Sequence, residues 1–132
     1  MRDRYFTLEE ANALLPWLEE QFARMMPVRD ELAARQEQLL TLFRENRSNG
    51  SSTKEQDIAD TQRIVNRLTE QLQEGLREIA RRGILVRDLG RGLVDFPAQR
   101  EGREIHLCWL RGEPQIAYWH ETNTGFPGRQ PL

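Results

Sequence analysis

The chain has 132 residues, 38% of them hydrophobic and 30% charged, with a formal net charge of −2. That length supports one domain with a real core, and the small net charge offers no global attraction to nucleic acid or to an anionic membrane. No apolar run approaches the roughly 18 residues of a membrane span, the start Met1-Arg2-Asp3-Arg4-Tyr5-Phe6 has no apolar secretory core, and the single cysteine, Cys108, cannot make an internal disulfide.

These features predict a bacterial or archaeal cytoplasmic protein with no membrane contact. The 18 arginines against the one lysine, Lys54, reflect genomic base composition rather than chemistry. Charge is unevenly spread: residues 1–76 carry −4 and residues 77–111 carry +3. The second stretch is a mild basic band, which reads first as a solvated face.

Thr7 and Glu10 have the spacing of a capping box, flanked by Phe6 and Ala11 as a hydrophobic staple. Apolar residues then recur at Ala11, Leu15, Leu18, Phe22, Met25, Leu32, Leu39 and Phe43, the three–four spacing of a helix with one buried face. Pro16 and Pro27 fall inside this pattern, eleven residues apart and so on nearly one azimuth. Both are expected to face outward and to kink one curved helix or to break it into pieces. Met25 and Met26 read as gap-fillers.

Residues 46–53 are a loop by composition, followed by a second capping box at Ser52 and Glu55. Ile58, Thr61, Val65, Leu68, Leu72, Gly75 and Ile79 hold an a/d register for three heptads. Arg81 and Arg82 suit the negative end of this helix, and Gly83 suits the position after it. Residues 1–83 are therefore expected to form a long antiparallel helical hairpin, with coiled-coil character.

After Gly83 the periodicity becomes two. Residues 84–87, 93–98, 104–110 and 115–121 read as extended, with turns at 99–102 and 111–114, and residues 122–132 read as an irregular tail. The expected fold class is α+β: a kinked helical hairpin carrying a small C-terminal antiparallel sheet of three to four strands, all in one domain.

With both turns taken as four-residue loops, Phe96 opposes Ile105, Val94 opposes Leu107, Trp109 opposes Ile116, Leu107 opposes Tyr118 and Ile105 opposes His120. One face then holds those residues as core. The other holds Asp95, His106, Cys108, Ala117 and Trp119. A carboxylate beside an imidazole raises its basicity, and an imidazole near a thiol favours thiolate, so Asp95, His106 and Cys108 have the residue types of a nucleophilic or redox site. The plainer reading is a half-exposed face on which Cys108 packs as a small hydrophobe.

A zinc site would draw on His106, Cys108, His120 and Glu113. In this register His120 lies on the opposite face and Glu113 at a turn tip, so the ligands do not converge, and neither metal nor cofactor is expected. The segment Gly90-Arg91-Gly92 lacks the following helix start of a phosphate loop. Trp109, Tyr118 and Trp119 beside Arg103 and Arg111 have the types needed to stack nucleobases, but aromatics at strand spacing belong first to a core.

The run 6–16 (Phe-Thr-Leu-Glu-Glu-Ala-Asn-Ala-Leu-Leu-Pro), the block 92–97 (Gly-Leu-Val-Asp-Phe-Pro), Leu107-Cys108-Trp109, Gly112-Glu113-Pro114, Tyr118-Trp119-His120 and the block 125–129 (Gly-Phe-Pro-Gly-Arg) together resemble a bacterial family catalogued as domain of unknown function 2203. The resemblance spans almost the whole chain and implies no particular activity. It directs attention to Asp95, Cys108, Trp109, Glu113, Trp119, His120, Gly125, Phe126 and Arg129, and leaves His106 between its blocks.

Three functions stay open at this point. The first is an oligomerising or ligand-binding module, with a dimer favoured because helices of about 40 Å outreach a cap of some fifty residues and Leu14, Leu39, Leu40 and Leu42 form a second apolar edge. A small anion is its expected ligand, at a site drawn from Asp95, Trp109, Glu113, Trp119, His120 and Arg129, with Phe126 anchoring the tail. The second is an enzyme or metal-binding protein using the same C-terminal cluster with His106 and Cys108. The third is a nucleic-acid binder through residues 77–111.

Overall fold

The computed structural model describes residues 4–49 and 52–132. Three helices come first: α1 (Leu8–Ala13), α2 (Leu15–Asn49) and α3 (Ser52–Arg81). Five strands follow: β1 (Leu85–Asp88), β2 (Leu93–Arg100), β3 (Arg103–Leu110), β4 (Tyr118–Glu121) and β5 (Gln130–Pro131), with a 3-10 turn at Phe126–Gly128. They form one antiparallel sheet in the order β1-β2-β3-β4-β5. The fold is α+β as expected, with five strands rather than three or four.

The capping box of α1 forms on both sides: the Glu10 amide donates to Thr7 Oγ1 at 3.1 Å and the Thr7 amide donates to Glu10 Oε1 at 2.9 Å. The two prolines part company. α1 stops at Ala13, and α2 restarts at Leu15, so that Pro16 occupies its first turn, where the missing N–H is no loss. Pro27 is carried inside the continuous α2. Both prolines are exposed, which is the azimuth expected of them. The helix also runs through residues 46–49, which composition had assigned to the loop. The Ser52 side chain of the second capping box lies outside the described residues.

The chain divides into two compact units, Met1–Ala23 with Leu76–Leu132, and Arg24–Gly75. In the second, the remaining lengths of α2 and α3 bury Met25, Leu42, Thr61, Val65 and Leu68. Leu42, rather than Phe43, continues the stripe; Phe43 is 44% exposed. Gly75 holds a heptad position because Met25 fills the space over it: a Cβ there would stand 2.6 Å from the Met25 sulfur. Lys54 and Glu45 pair across the helices.

In the first unit, Val94, Phe96, Ala98, Ile105, Leu107, Trp109 and Trp119 share one sheet face, by the register of β2, β3 and β4. Phe22 lies 6.5 Å from Trp109, and Phe6 meets Phe96 edge-on at 5.2 Å, centroid to centroid. The segment before α1 is tied to the sheet by the Phe6 amide, which donates to the Pro97 carbonyl at 2.8 Å.

The two turns of the meander differ from a four-residue loop in different ways. β2 and β3 join through only Glu101 and Gly102, both at positive φ (52° and 77°), the backbone of a tight primed turn. Pairing therefore moves by two residues, Phe96 opposing Leu107 and Val94 opposing Trp109, and the faces survive. Between β3 and β4 the slip is odd. Residues 111–117 leave the ladder: Glu113 caps the Leu110 amide, and the Ile116 amide donates to Asn12 Oδ1 at 2.8 Å. Pairing resumes with Cys108 opposite Tyr118, Leu107 opposite Trp119 and His106 opposite His120. An odd slip turns a strand over. His120 and Tyr118 thus join the face of Asp95, His106 and Cys108, and Trp119 goes to the core. The tail is not wholly irregular either, since β5 pairs with β4.

Candidate functional site

Three adjacent strands deliver three polar side chains to the second sheet face: Asp95 from β2, His106 from β3 and His120 from β4. Their exposures are 2%, 2% and 1%, so this face is buried rather than half-exposed. His120 Nε2 lies 2.9 Å from Asp95 Oδ1, and His106 Nδ1 lies 3.5 Å from Asp95 Oδ2. The two rings meet edge-to-face at 5.5 Å. Each histidine turns its other nitrogen to an oxygen outside the trio: His120 Nδ1 to the Glu121 carbonyl at 2.7 Å, His106 Nε2 to Glu104 Oε2 at 3.3 Å.

Arg87 completes the group. The pairing of β1 with β2 shifts between Val86 and Asp88, a bulge with Arg87 at its centre. Its Nε donates to Asp95 Oδ2 at 2.9 Å. Burial alone would raise the Asp95 carboxyl, but His106, Arg87 and His120, the histidines when the nitrogen facing the carboxylate carries a proton, outweigh burial and hold it down at about 2. Cys108, opposite Asp95 across the strands, is fully buried. Burial first, and then the Asp95 charge, push its thiol up to about 12. Its surroundings therefore favour the thiol over the thiolate, the reverse of what a nucleophile requires.

Asp95 and His120 form part of the wall of a 410 Å³ cavity, with Arg87, Leu93, Thr122, Asn123, Thr124, Gly125 and Phe126. A cavity of the same volume elsewhere, lined by Tyr5, Phe6, Leu8, Ile105 and Leu132 among others, has no Asp, Glu or His among its described lining residues.

The remaining expected site residues are dispersed. Trp109 packs in the core, its Nε1 donating to the Glu113 carbonyl at 2.9 Å. Trp119 lies on the core face with the Arg100 guanidinium 4.5 Å over its ring, so it does not flank His106. Arg129 is committed to Glu113, donating from Nη2 to Oε1 and Oε2 at 2.7 and 3.0 Å. Its guanidinium lies 4.1 Å from the Tyr118 ring centre and 4.8 Å from that of Phe126. Arg129 thus ties the tail to the turn after β3 through Glu113. His120 for its part is engaged by Asp95 and the Glu121 carbonyl.

The arginines of the basic band are also engaged: Arg81 with Glu78, Arg82 over Trp17, Arg87 with Asp95, Arg91 over Phe126, Arg100 over Trp119, Arg103 with Glu121, and Arg111 with Glu19. Among the described residues no helix is long and apolar enough to cross a membrane.

Arg87, Glu104 and the lining residues 122–124 were not among the residues singled out from sequence. Arg87 reaches the site through a bulge, which leaves no sequence mark. Glu104 sits two residues before His106 in strand spacing, a same-face neighbour that the alternation alone identifies.

A family model described as Uncharacterized conserved protein (DUF2203) matches residues 4–132, and the chain belongs to that family. No curated protein and no solved structure matches it.

Proposed function

We propose that this family member is a small-ligand-binding module whose site is the cavity beside Asp95 and His120. The observation that carries this reading is a buried carboxylate and imidazole, 2.9 Å apart, set in the wall of an open cavity. A sheet face serving only as packing gains nothing by burying two histidines and an aspartate, since charge costs free energy to desolvate unless it is paired. The rest of the lining is a mixture suited to a small polar molecule: Thr122, Asn123, Thr124 and Arg87 as polar residues, and Leu93 and Phe126 as apolar ones. Arg87, not Arg129, supplies the cation, which favours a ligand carrying a carboxylate or phosphate.

Pairing of Arg81, Arg103 and Arg111 with Glu78, Glu121 and Glu19 neutralises part of the band's charge, which speaks against a nucleic-acid surface. The buried free Cys108 fits a reducing cytoplasm.

The test is thermal unfolding of the full chain against a panel of phosphate, sulfate and small mono-, di- and tricarboxylates. At least one should raise the melting temperature progressively with concentration; a ligand present at a hundred times its Kd adds about 2.7 kcal/mol. The Arg87→Gln chain should lose that response. A panel with no shift for the wild-type protein overturns the reading.

A further inference from the structure

We propose that Asp95, His106 and His120 bind one divalent transition-metal ion. One donor atom from each residue lies within 4.8 Å of the other two, and all three residues are buried. The proposal deepens the ligand-site reading, because two of the three residues also line that cavity, but it stands on different observations.

The first observation is how the rings are held. The Glu121 carbonyl can only accept, so His120 Nδ1 carries the hydrogen of that 2.7 Å bond. On a neutral ring Nε2 then presents a lone pair to Asp95 Oδ1 at 2.9 Å, an acceptor facing an acceptor. His106 repeats the arrangement in mirror form. Its Nε2 hydrogen goes to Glu104 Oε2, and its Nδ1 lone pair faces Asp95 Oδ2 at 3.5 Å. Each ring is thus fixed in one tautomer by an outer oxygen, with its free nitrogen directed at a common carboxylate. Metal-ligating histidines are oriented in this way by their outer partners.

The second observation is independent of the first. His106 Nδ1 is a buried nitrogen with no hydrogen-bond partner, on a side chain only 3% exposed. An orphaned buried acceptor is costly and needs an explanation. A proton on His120 satisfies one of the two facing pairs and leaves His106 as it is. A cation among the three groups satisfies both.

The donor set names the class of ion. Two imidazole nitrogens and one carboxylate oxygen suit Zn²⁺, Fe²⁺, Co²⁺ or Ni²⁺, whereas Ca²⁺ and Mg²⁺ require oxygen ligands. Cys108 is outside the set, and the Arg87 hydrogen bond on Oδ2 leaves Oδ1 as the carboxylate's freer donor. Three protein ligands beside an open cavity are the pattern of a site that keeps a coordination position for water or a ligand.

Co²⁺ is the probe. The full chain, stripped with a chelator and dialysed, is titrated with Co²⁺ and then with Zn²⁺. The expected result is one Co²⁺ per chain with visible ligand-field absorption, abolished by one equivalent of Zn²⁺. Proton NMR of the Co²⁺-loaded wild-type chain should show two hyperfine-shifted, solvent-exchangeable imidazole N–H signals, a readout that needs no variant. Cys108→Ser should leave the absorption unchanged. Glu104→Gln, which alters only a positioning residue, should weaken Co²⁺ affinity by roughly tenfold to a hundredfold. Absence of stoichiometric uptake by the wild-type chain, fewer than two imidazole signals, or full uptake by a folded His106→Gln chain overturns the proposal. The two readings separate cleanly. Anion stabilisation without metal uptake removes the metal and keeps the cavity; metal uptake without any anion response does the converse.

Discussion

Glu113 closes the C-terminal half of the chain onto itself. Its carboxylate accepts from the Leu110 amide at 2.8 Å and from Arg129, while its carbonyl accepts from the Trp109 indole. The first bond ends β3, the second docks the tail, and the third fixes a core tryptophan. Removing the side chain leaves the Arg129 guanidinium, whose own side chain is 14% exposed, without its counter-charge. Glu113→Ala should therefore cost about 1–3 kcal/mol, the range for a partly buried charge-assisted bond and an orphaned donor. Glu113→Gln keeps acceptor capacity for the Leu110 amide and should cost less. Arg129→Lys should behave nearly like Arg129→Ala, because an ammonium has neither the planar stack between Tyr118 and Phe126 nor the fork. Urea unfolding of the four variants orders them; equal midpoints for wild type and Glu113→Ala would sink this account. At this scale the sequence was informative where chemistry is local. Phe126 and Arg129 stood out in a tail with little else to anchor it, and Glu113 was already among the residues marked for the site.

At the scale of elements, legibility depended on what holds each turn. Gln99-Arg100-Glu101-Gly102 was readable as a turn, and its true length of two residues, Glu101 and Gly102, changed the pairing by an even step, so every face assignment for β2 and β3 survived. The turn after β3 is held by Glu113 and by Asn12, which lies 104 positions away from Ile116. No local pattern contains that contact, and its odd step reversed β4. That one reversal hid the site: with His120 on the wrong face, the three converging groups looked like two. The tight turn makes its own prediction. Glu101 adopts φ 52° at a position where asparagine is favoured and glutamate is strained. Glu101→Asn should raise stability by roughly 0.5–1 kcal/mol, whereas Gly102→Val, at φ 77°, should lower it by more than that. Thermal melts of both decide it, and a Glu101→Asn chain less stable than wild type would count against the turn assignment.

For the molecule as a whole, heptad spacing and capping signals were enough to give the helices, since these are short-range rules acting over many turns. What they left unassigned was the use of the surplus apolar residues. Leu42 is buried and Leu14 and Leu39 are half-buried, which reduces the second edge that the sequence suggested. Leu40 at 56% and Phe43 at 44% exposure remain on α2. They are three positions apart, hence on one side of the helix. Two large apolar side chains adjacent on one exposed helical face are the start of a patch that water disfavours, and the simplest way to cover it is a second copy of the same helix around a two-fold axis. The expected outcome is self-association: light scattering on the eluting chain at tens of micromolar should give a dimer mass. Leu40→Glu combined with Phe43→Glu should return it to a monomer while leaving the melting temperature at low concentration unchanged, because neither side chain belongs to the buried set of its own unit. A wild-type chain that scatters as a monomer throughout that range would mean that these residues are merely exposed, as single surface apolar residues often are, and that the heptads serve only the pairing of α2 with α3.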